Sequence, residues 1–244
     1  MTSFRLPTSQ EKADYVLNQF DRIARRYDLT NDAISLGMHR EWKRQAVDAL
    51  ACRADGSYLD VCCGTGDLAL RVAERLLVGG KITGLDFSPK MLDVARQRAQ
   101  RCGKRVSCAI EWVCGDAQEL PFSDRIFDGA IISFGLRNLT DLQRGLDQMA
   151  AVVKSGGQVV NLDVGHPTTP LFAHSFNFWF SLVVPLIGQV LQNDRQAYTY
   201  LPESAKAYPQ PEEITFMFEQ AGMREVRHIA LAMGSVALHV GTVV

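Results

Sequence analysis

From residue 57 onward, short apolar runs alternate with amphipathic stretches. The runs at 57–63, 81–86, 109–114, 126–133 and 157–163 are dense in Val, Ile, Leu and Cys and predict buried strands. Between them, 66–78, 89–102 and 141–153 carry apolar residues at helical spacing. Strand–helix alternation of this kind implies a parallel sheet covered on both faces. Upstream, Val16, Phe20, Ile23 and Tyr27 share one face of a helix expected over 9–27, and a second helix is expected over 39–52. Helices are also expected over 170–191 and 211–221. The tail, 223–243, predicts two strands around Gly234, an antiparallel hairpin closing the parallel run.

In open parallel sheets, ligands bind beyond the carboxyl ends of the strands. After the first strand comes Gly64-Thr65-Gly66-Asp67, where two glycines let the backbone approach a ligand and a helix begins at once. After the second comes Asp86, in the usual place for an acid that accepts hydrogen bonds from ribose hydroxyls. Gly115-Asp116-Ala117 follows the third, and Ser133-Phe134-Gly135-Leu136-Arg137-Asn138 follows the fourth. The turn also fits a relaxed dinucleotide fingerprint, and a turn without any ligand stays open. Asp67 separates the ligands: a carboxylate at the helix start repels a pyrophosphate but suits a cationic amino or sulfonium group. S-adenosylmethionine carries both groups, with a ribose for Asp86 and an adenine for Asp116.

Composition changes this picture little. The 244 residues are 47% hydrophobic and 22% charged, with a formal net charge of -1, so no basic field argues for nucleic acid. The N-terminal stretch lacks an apolar signal core, which points to a cytoplasmic protein. Six cysteines form no CxxC pair, so no metal site is expected and the thiols read as reduced. One segment stands apart: Val164 to Asn193 contains no Asp, Glu, Lys or Arg. It approaches the ~20 apolar residues a membrane span needs. Its polar residues and Pro185 favour an apolar helix, broken near Pro185, that is core or the wall of a greasy pocket.

The chain resembles the class I methyltransferases, specifically the ubiquinone/menaquinone biosynthesis C-methyltransferase family. The resemblance rests on "FDRIARRYDLTND", "SLGMHREWK", "LDVCCGTGDLAL", "GLDFSPKMLDVAR", "SFGLRN" and "YTYLPES", and runs from about Phe20 to the C-terminus. It implies a Rossmann-like α/β fold with extra N-terminal helices. The expected parts are a helical lid (1–52), a cofactor-binding core (53–163), an apolar substrate-side insertion (164–210) and a C-terminal helix and hairpin (211–244). It implies S-adenosylmethionine contacts at Thr65, Asp86, Asp116, Ala117 and Ser133, with Tyr27 covering the cofactor. Arg137 and Asn138 would face the reacting ring.

The implied reaction is methylation of a ring carbon of a prenylated hydroquinol, with the "YLPES…YPQPEE" run leaning toward the menaquinone side. The prenyl tail leads to an expectation of peripheral membrane contact through 171–191 and the N-terminal helices; a homodimer stays open. A phenol titrates near pH ~10, so a group must assist its ionisation. Arginine is too weak an acid to serve as a base, so Arg137 is expected to stabilise the developing phenolate. Asp163, His166 and His239 are the candidates for accepting the ring proton. Each has a plainer alternative: Arg137 as a loop bridge, Asp163 as a loop or cap carboxylate, His166 as a turn residue, His239 as a core histidine, and Trp42 as core rather than a stacking platform.

Overall fold

A computed structural model describes residues 6–192 and 195–244. Three helices come first: α1 (Ser9–Ile23), α2 (Tyr27–Ser35) and α3 (His39–Ala49). The sheet-forming region follows as β1 (Ser57–Val61), α4 (Asp67–Ala73), β2 (Lys81–Asp86), α5 (Pro89–Cys102), β3 (Ala109–Cys114), β4 (Phe127–Ser133), α6 (Leu142–Val152) and β5 (Val153–Val164). Next come α7 (Pro170–Phe178), α8 (Val184–Gln192), α9 (Arg195–Ala207) and α10 (Pro211–Gln220), then β6 (Met223–Leu231) and β7 (Val236–Val243).

The seven strands form one sheet in the order β3-β2-β1-β4-β5-β7-β6. β1 to β5 pair in parallel, and β7 runs antiparallel to both β5 and β6. The strand order reverses beside β1, so the crevice between the carboxyl ends of β1 and β4 is the topological switch point. Two apolar clusters bury the faces. One gathers Leu59, Ile132, Leu146 and Phe218; the other gathers Val47, Leu68, Ile82 and Leu238. A third cluster joins Ile23 and Met91 to Val184 and Tyr198, tying the N-terminal helices to the apolar segment.

Local chemistry sets the helix starts that matter for the site. Ser88 caps α5, its hydroxyl accepting from the Met91 amide at 3.1 Å, and Pro89 sits where no amide is needed. The α4 start has a buried acceptor: the Asp60 carboxylate takes the Ala69 amide at 2.9 Å. Asp60 is fully buried, and that desolvation pushes its pKa up to about 8.

Four features differ from the sequence expectation. The helix expected over 9–27 ends at Ile23, and a 3-10 turn leads into the separate α2. β5 starts at Val153, four residues early, with a register shift against β4 between Phe127 and Gly129. α9 was not among the expected helices: its Tyr-Thr-Tyr run and internal Pro202 have low helix propensity, and burial of Tyr198 and Tyr200 overrides it. Pro185 breaks nothing. A π turn over Trp179–Val183 precedes it, and this wider winding accommodates a residue that has no amide to donate.

Candidate active site

The turn after β1 is built from left-handed backbone: Cys62 (φ 54), Gly64 (φ 54) and Gly66 (φ 78). A side chain on Gly64 would meet no atom within 4 Å and would enter the cavity beside it. Gly66 must lack one for another reason, since its Cβ would lie 2.6 Å from the Trp112 ring. The Gly64 amide donates to Asp86 Oδ2 at 2.8 Å, and the Ser88 amide donates to Asp86 Oδ1 at 2.9 Å. Burial, set against these two amides, leaves the Asp86 carboxyl raised to about 6.

Tyr27, Asp86, Asp116, Ala117, Ser133 and Asn138 all line this cavity. Asp116 accepts from the Gln118 amide at 2.8 Å and remains exposed. The Ser133 hydroxyl is buried without a hydrogen-bond partner. An orphaned hydroxyl in a cavity wall is a site awaiting a polar ligand. Thr65 is placed differently. Its hydroxyl donates to Asp28 Oδ1 at 2.8 Å and accepts from Arg98 at 2.9 Å, and it does not line the cavity.

Asp67 is not at the cavity either. Its carboxylate meets Lys43 at 2.9 Å, Arg98 at 3.2 Å and Arg71 at 3.5 Å. Despite burial, these cations hold its pKa well below the carboxylate range. With its charge already neutralised, Asp67 cannot discriminate between ligands, and the sequence argument that used it does not stand.

A second cavity, about 300 Å³ and mostly apolar, adjoins the first. Tyr27 and Phe134 line both. Its walls come from α2, α3 and the apolar segment, including Trp42, Phe172, Phe176 and Trp179, and Arg137 reaches it from the loop after β4. Arg137 is buried. Its guanidinium donates to Asp163 Oδ1 at 2.6 Å and stands over the Phe134 ring at 5.7 Å. Burial opposes its charge, but the Asp163 carboxylate prevails and raises its pKa. Arg137 Nε has no partner.

Asp163 accepts from three donors: the Arg137 side chain, the Arg137 amide at 3.2 Å and the Val164 amide at 2.8 Å. It lines neither cavity. Asn138 donates to the Phe134 carbonyl at 3.2 Å and accepts from the Tyr200 hydroxyl at 3.2 Å. The structure thus brings Arg137 and Asn138 to the cavities and leaves Asp163 behind them.

The histidines named from sequence are elsewhere. His166 bonds the Tyr208 carbonyl at 3.0 Å, and His239 bonds the Pro211 carbonyl at 2.9 Å inside the core. Burial depresses His239 to about 4. Sequence reasoning missed His39, Ser35 and Lys43, which do line the second cavity. Their signal was present: Tyr27, Asn31, Ser35, His39 and Lys43 recur every four residues. Among the described residues, no group of three or more His, Cys, Asp or Glu could hold a metal ion.

Residues 8–243 match the model of the ubiE/COQ5 methyltransferase family. The chain belongs to this family. A demethylmenaquinone methyltransferase of Desulfitobacterium hafniense is 40% identical over 95% of this chain and 90% of its own length. A ubiquinone/menaquinone biosynthesis C-methyltransferase of Geobacter is 39% identical over 95% of this chain and 97% of its own. In fold, this family member is similar to a SAM-dependent methyltransferase from Thermotoga maritima, with a TM-score of 0.61 and 18% identity over 93% and 98% of the two chains. It is also similar to a Haemonchus contortus phosphoethanolamine N-methyltransferase solved with S-adenosyl-L-methionine (TM-score 0.58, 15% identity, 82% and 51% of the chains).

Proposed function

We propose that this protein methylates a ring carbon of a prenylated hydroquinol with S-adenosylmethionine as donor, most specifically converting a demethylmenaquinol to a menaquinol. The observation that carries this is the pair of cavities meeting at Tyr27 and Phe134, one polar at Asp86 and Ser133, the other apolar with Arg137 in its wall. The names of the relatives fit the same reading. The first cavity also suits the donor: the bare Gly64 leaves room, and the unpartnered Ser133 hydroxyl is available.

When bound, S-adenosylmethionine supplies an already activated sulfonium methyl, so the chain must align and exclude water. Asp86 would take the ribose hydroxyls, while Asp116, Ala117 and Ser133 would hold the rest of the nucleoside. Tyr27 would cover it from α2. Thr65 would act indirectly, fixing α2 to the glycine turn through Asp28 and Arg98. Arg137 would stabilise the phenolate oxygen, with its free Nε as donor. Asp163 would hold Arg137 in place, because its oxygens are already committed to three donors. Asn138, fixed by Tyr200, would set the ring's edge.

The tail has an exit in this reading. Leu36 and Met38 line the second cavity and are also 71% and 49% exposed. Nearby, the helical run Pro170–Gln192 is long and apolar enough to cross a membrane, with mean hydropathy 1.4. It lies instead along the body, where the Trp179 indole donates to the Ile34 carbonyl at 3.2 Å. Its outer face carries Leu171, Phe178, Leu182, Leu186 and Val190, all exposed. Such a face suits peripheral contact with the lipid that holds the substrate.

The test is transfer of labelled methyl from S-adenosylmethionine to a reduced prenylated demethyl-naphthoquinol and to a prenylated methoxy-benzoquinol. Label in the naphthoquinol supports the menaquinone step. Label in neither, with intact cofactor binding, would sink the quinol assignment.

A further inference from the structure

Methyl transfer leaves the acceptor carbon carrying both a methyl and a hydrogen, and that hydrogen must leave as a proton. Neither Asp163, His166 nor His239 lines either cavity. We infer that His39 Nε2 accepts this proton, making His39 a second catalytic residue in the cavity that Arg137 also lines. The inference rests on the functional reading above.

The hydrogen-bond chain fixes the tautomer. Ser35 Oγ donates its only proton to the Asn31 carbonyl at 2.7 Å, because a carbonyl can only accept. Ser35 Oγ therefore accepts in its contact with His39 Nδ1 at 2.7 Å, so Nδ1 carries the hydrogen. Nε2 is left with a free lone pair, on a side chain that lines the acceptor cavity. It makes no hydrogen bond among the described residues. The Asp32 carboxylate stands 3.8 Å from it, placed to stabilise an imidazolium once formed.

The surrounding charges suit a base that must start neutral. Burial first, then the Lys43 ammonium, hold the imidazole below its ordinary pKa. Asp32 and Asp67 oppose this, but Asp32 is engaged by Arg40 at 2.6 Å and Asp67 by Lys43 at 2.9 Å. The same cavity is lined by Tyr27 and by Arg137, whose guanidinium is paired with Asp163.

The step balances. The quinol hydroxyl beside Arg137 first gives its proton to water; the ring's electron pair then forms the C–CH3 bond, and the sulfur keeps the pair of the bond it loses. The C–H bond at the same carbon then breaks, its electrons restore the aromatic ring, and its proton goes to Nε2. The oxygen returns to a phenolate beside Arg137 and is reprotonated from water, while His39 releases its proton to solvent.

His39→Asn tests this, because the Asn amide can keep the donor contact to Ser35 while removing the base. Its kcat with a prenylated demethyl-naphthoquinol should fall by ~10²–10⁴, with cofactor affinity unchanged. Deuterium at the reacting ring carbon should then slow the variant far more than the wild type, and added imidazole should restore rate. A kcat within about twofold of wild type, an unchanged isotope effect, or loss of cofactor binding would each overturn the assignment. A wild-type enzyme inactive on every quinol would overturn the functional reading first, whereas an active wild type with an unimpaired variant overturns only the role of His39.

Discussion

In the proposed reading Asp86 is the ribose-binding carboxylate, and its burial would make that binding pH-dependent. Its pKa is raised to about 6, first by desolvation. Only the ionised form accepts two ribose hydroxyls, so cofactor affinity should be flat above pH ~6 and fall up to tenfold per pH unit below it. Calorimetric titration across that range reads this directly. Asp86→Asn should remove the pH dependence and weaken binding by ~10–150-fold, the worth of a hydrogen bond to a charged group. Arg137 and Asp163 form a buried ion pair, 2.6 Å apart. Arg137→Met alone leaves a buried unpaired charge and should destabilise the fold by ~3–5 kcal/mol. Adding Asp163→Leu should recover much of that stability in denaturant titrations while kcat stays low. If the double variant recovers activity as well, Arg137 has no part in the chemistry.

The elements explain why some residues were legible and others were not. Asp86, Asp116 and Ser133 were readable because each sits at or just past the carboxyl end of a strand, and the sheet places strand ends together without further information. Thr65 and Asp67 share that logic but fail it, because α2, α3 and α5 bring Asp28, Lys43 and Arg98 onto them. Those partners are 24 to 37 residues away, and no local pattern encodes them. His39 was hidden by the reverse problem. The four-residue ladder from Tyr27 to Lys43 crosses the turn at Leu36–Met38, so it reads as two unrelated helix ends until α2 and α3 are seen to wall one cavity. The α7–α8 run carries a test of its own. Leu182→Glu with Leu186→Glu puts two charges on its exposed face. Sedimentation with anionic vesicles should drop for this variant while cofactor binding is unchanged; equal sedimentation would remove the lipid contact.

At the scale of the whole molecule, the sheet does two jobs that pull on the same residues. β1 anchors the glycine turn and also buries Asp60 beneath α4. The Asp60 carboxyl, raised from 3.8 to about 8 by burial, holds its proton in the folded state and loses it in the unfolded chain. The native form then binds more protons between pH ~4 and ~8, so stability is full below that window and declines as pH rises through it, by at most ~1.4 kcal/mol per unit. Asp60→Asn should flatten this decline in chemical denaturation at pH 5 and pH 8, and a parallel decline in both proteins would exclude Asp60 as its source. The larger arrangement is two cavities that share Tyr27 and Phe134, one carrying Asp86, Asp116 and Ser133 and the other more apolar. The measurement that bears most directly on it is NMR of the product formed from isotope-labelled S-adenosylmethionine and a reduced prenylated demethyl-naphthoquinol. A labelled methyl on the ring carbon is the expected result. A labelled methoxy group, or no label in a protein that binds the donor, would contradict carbon methylation at this site.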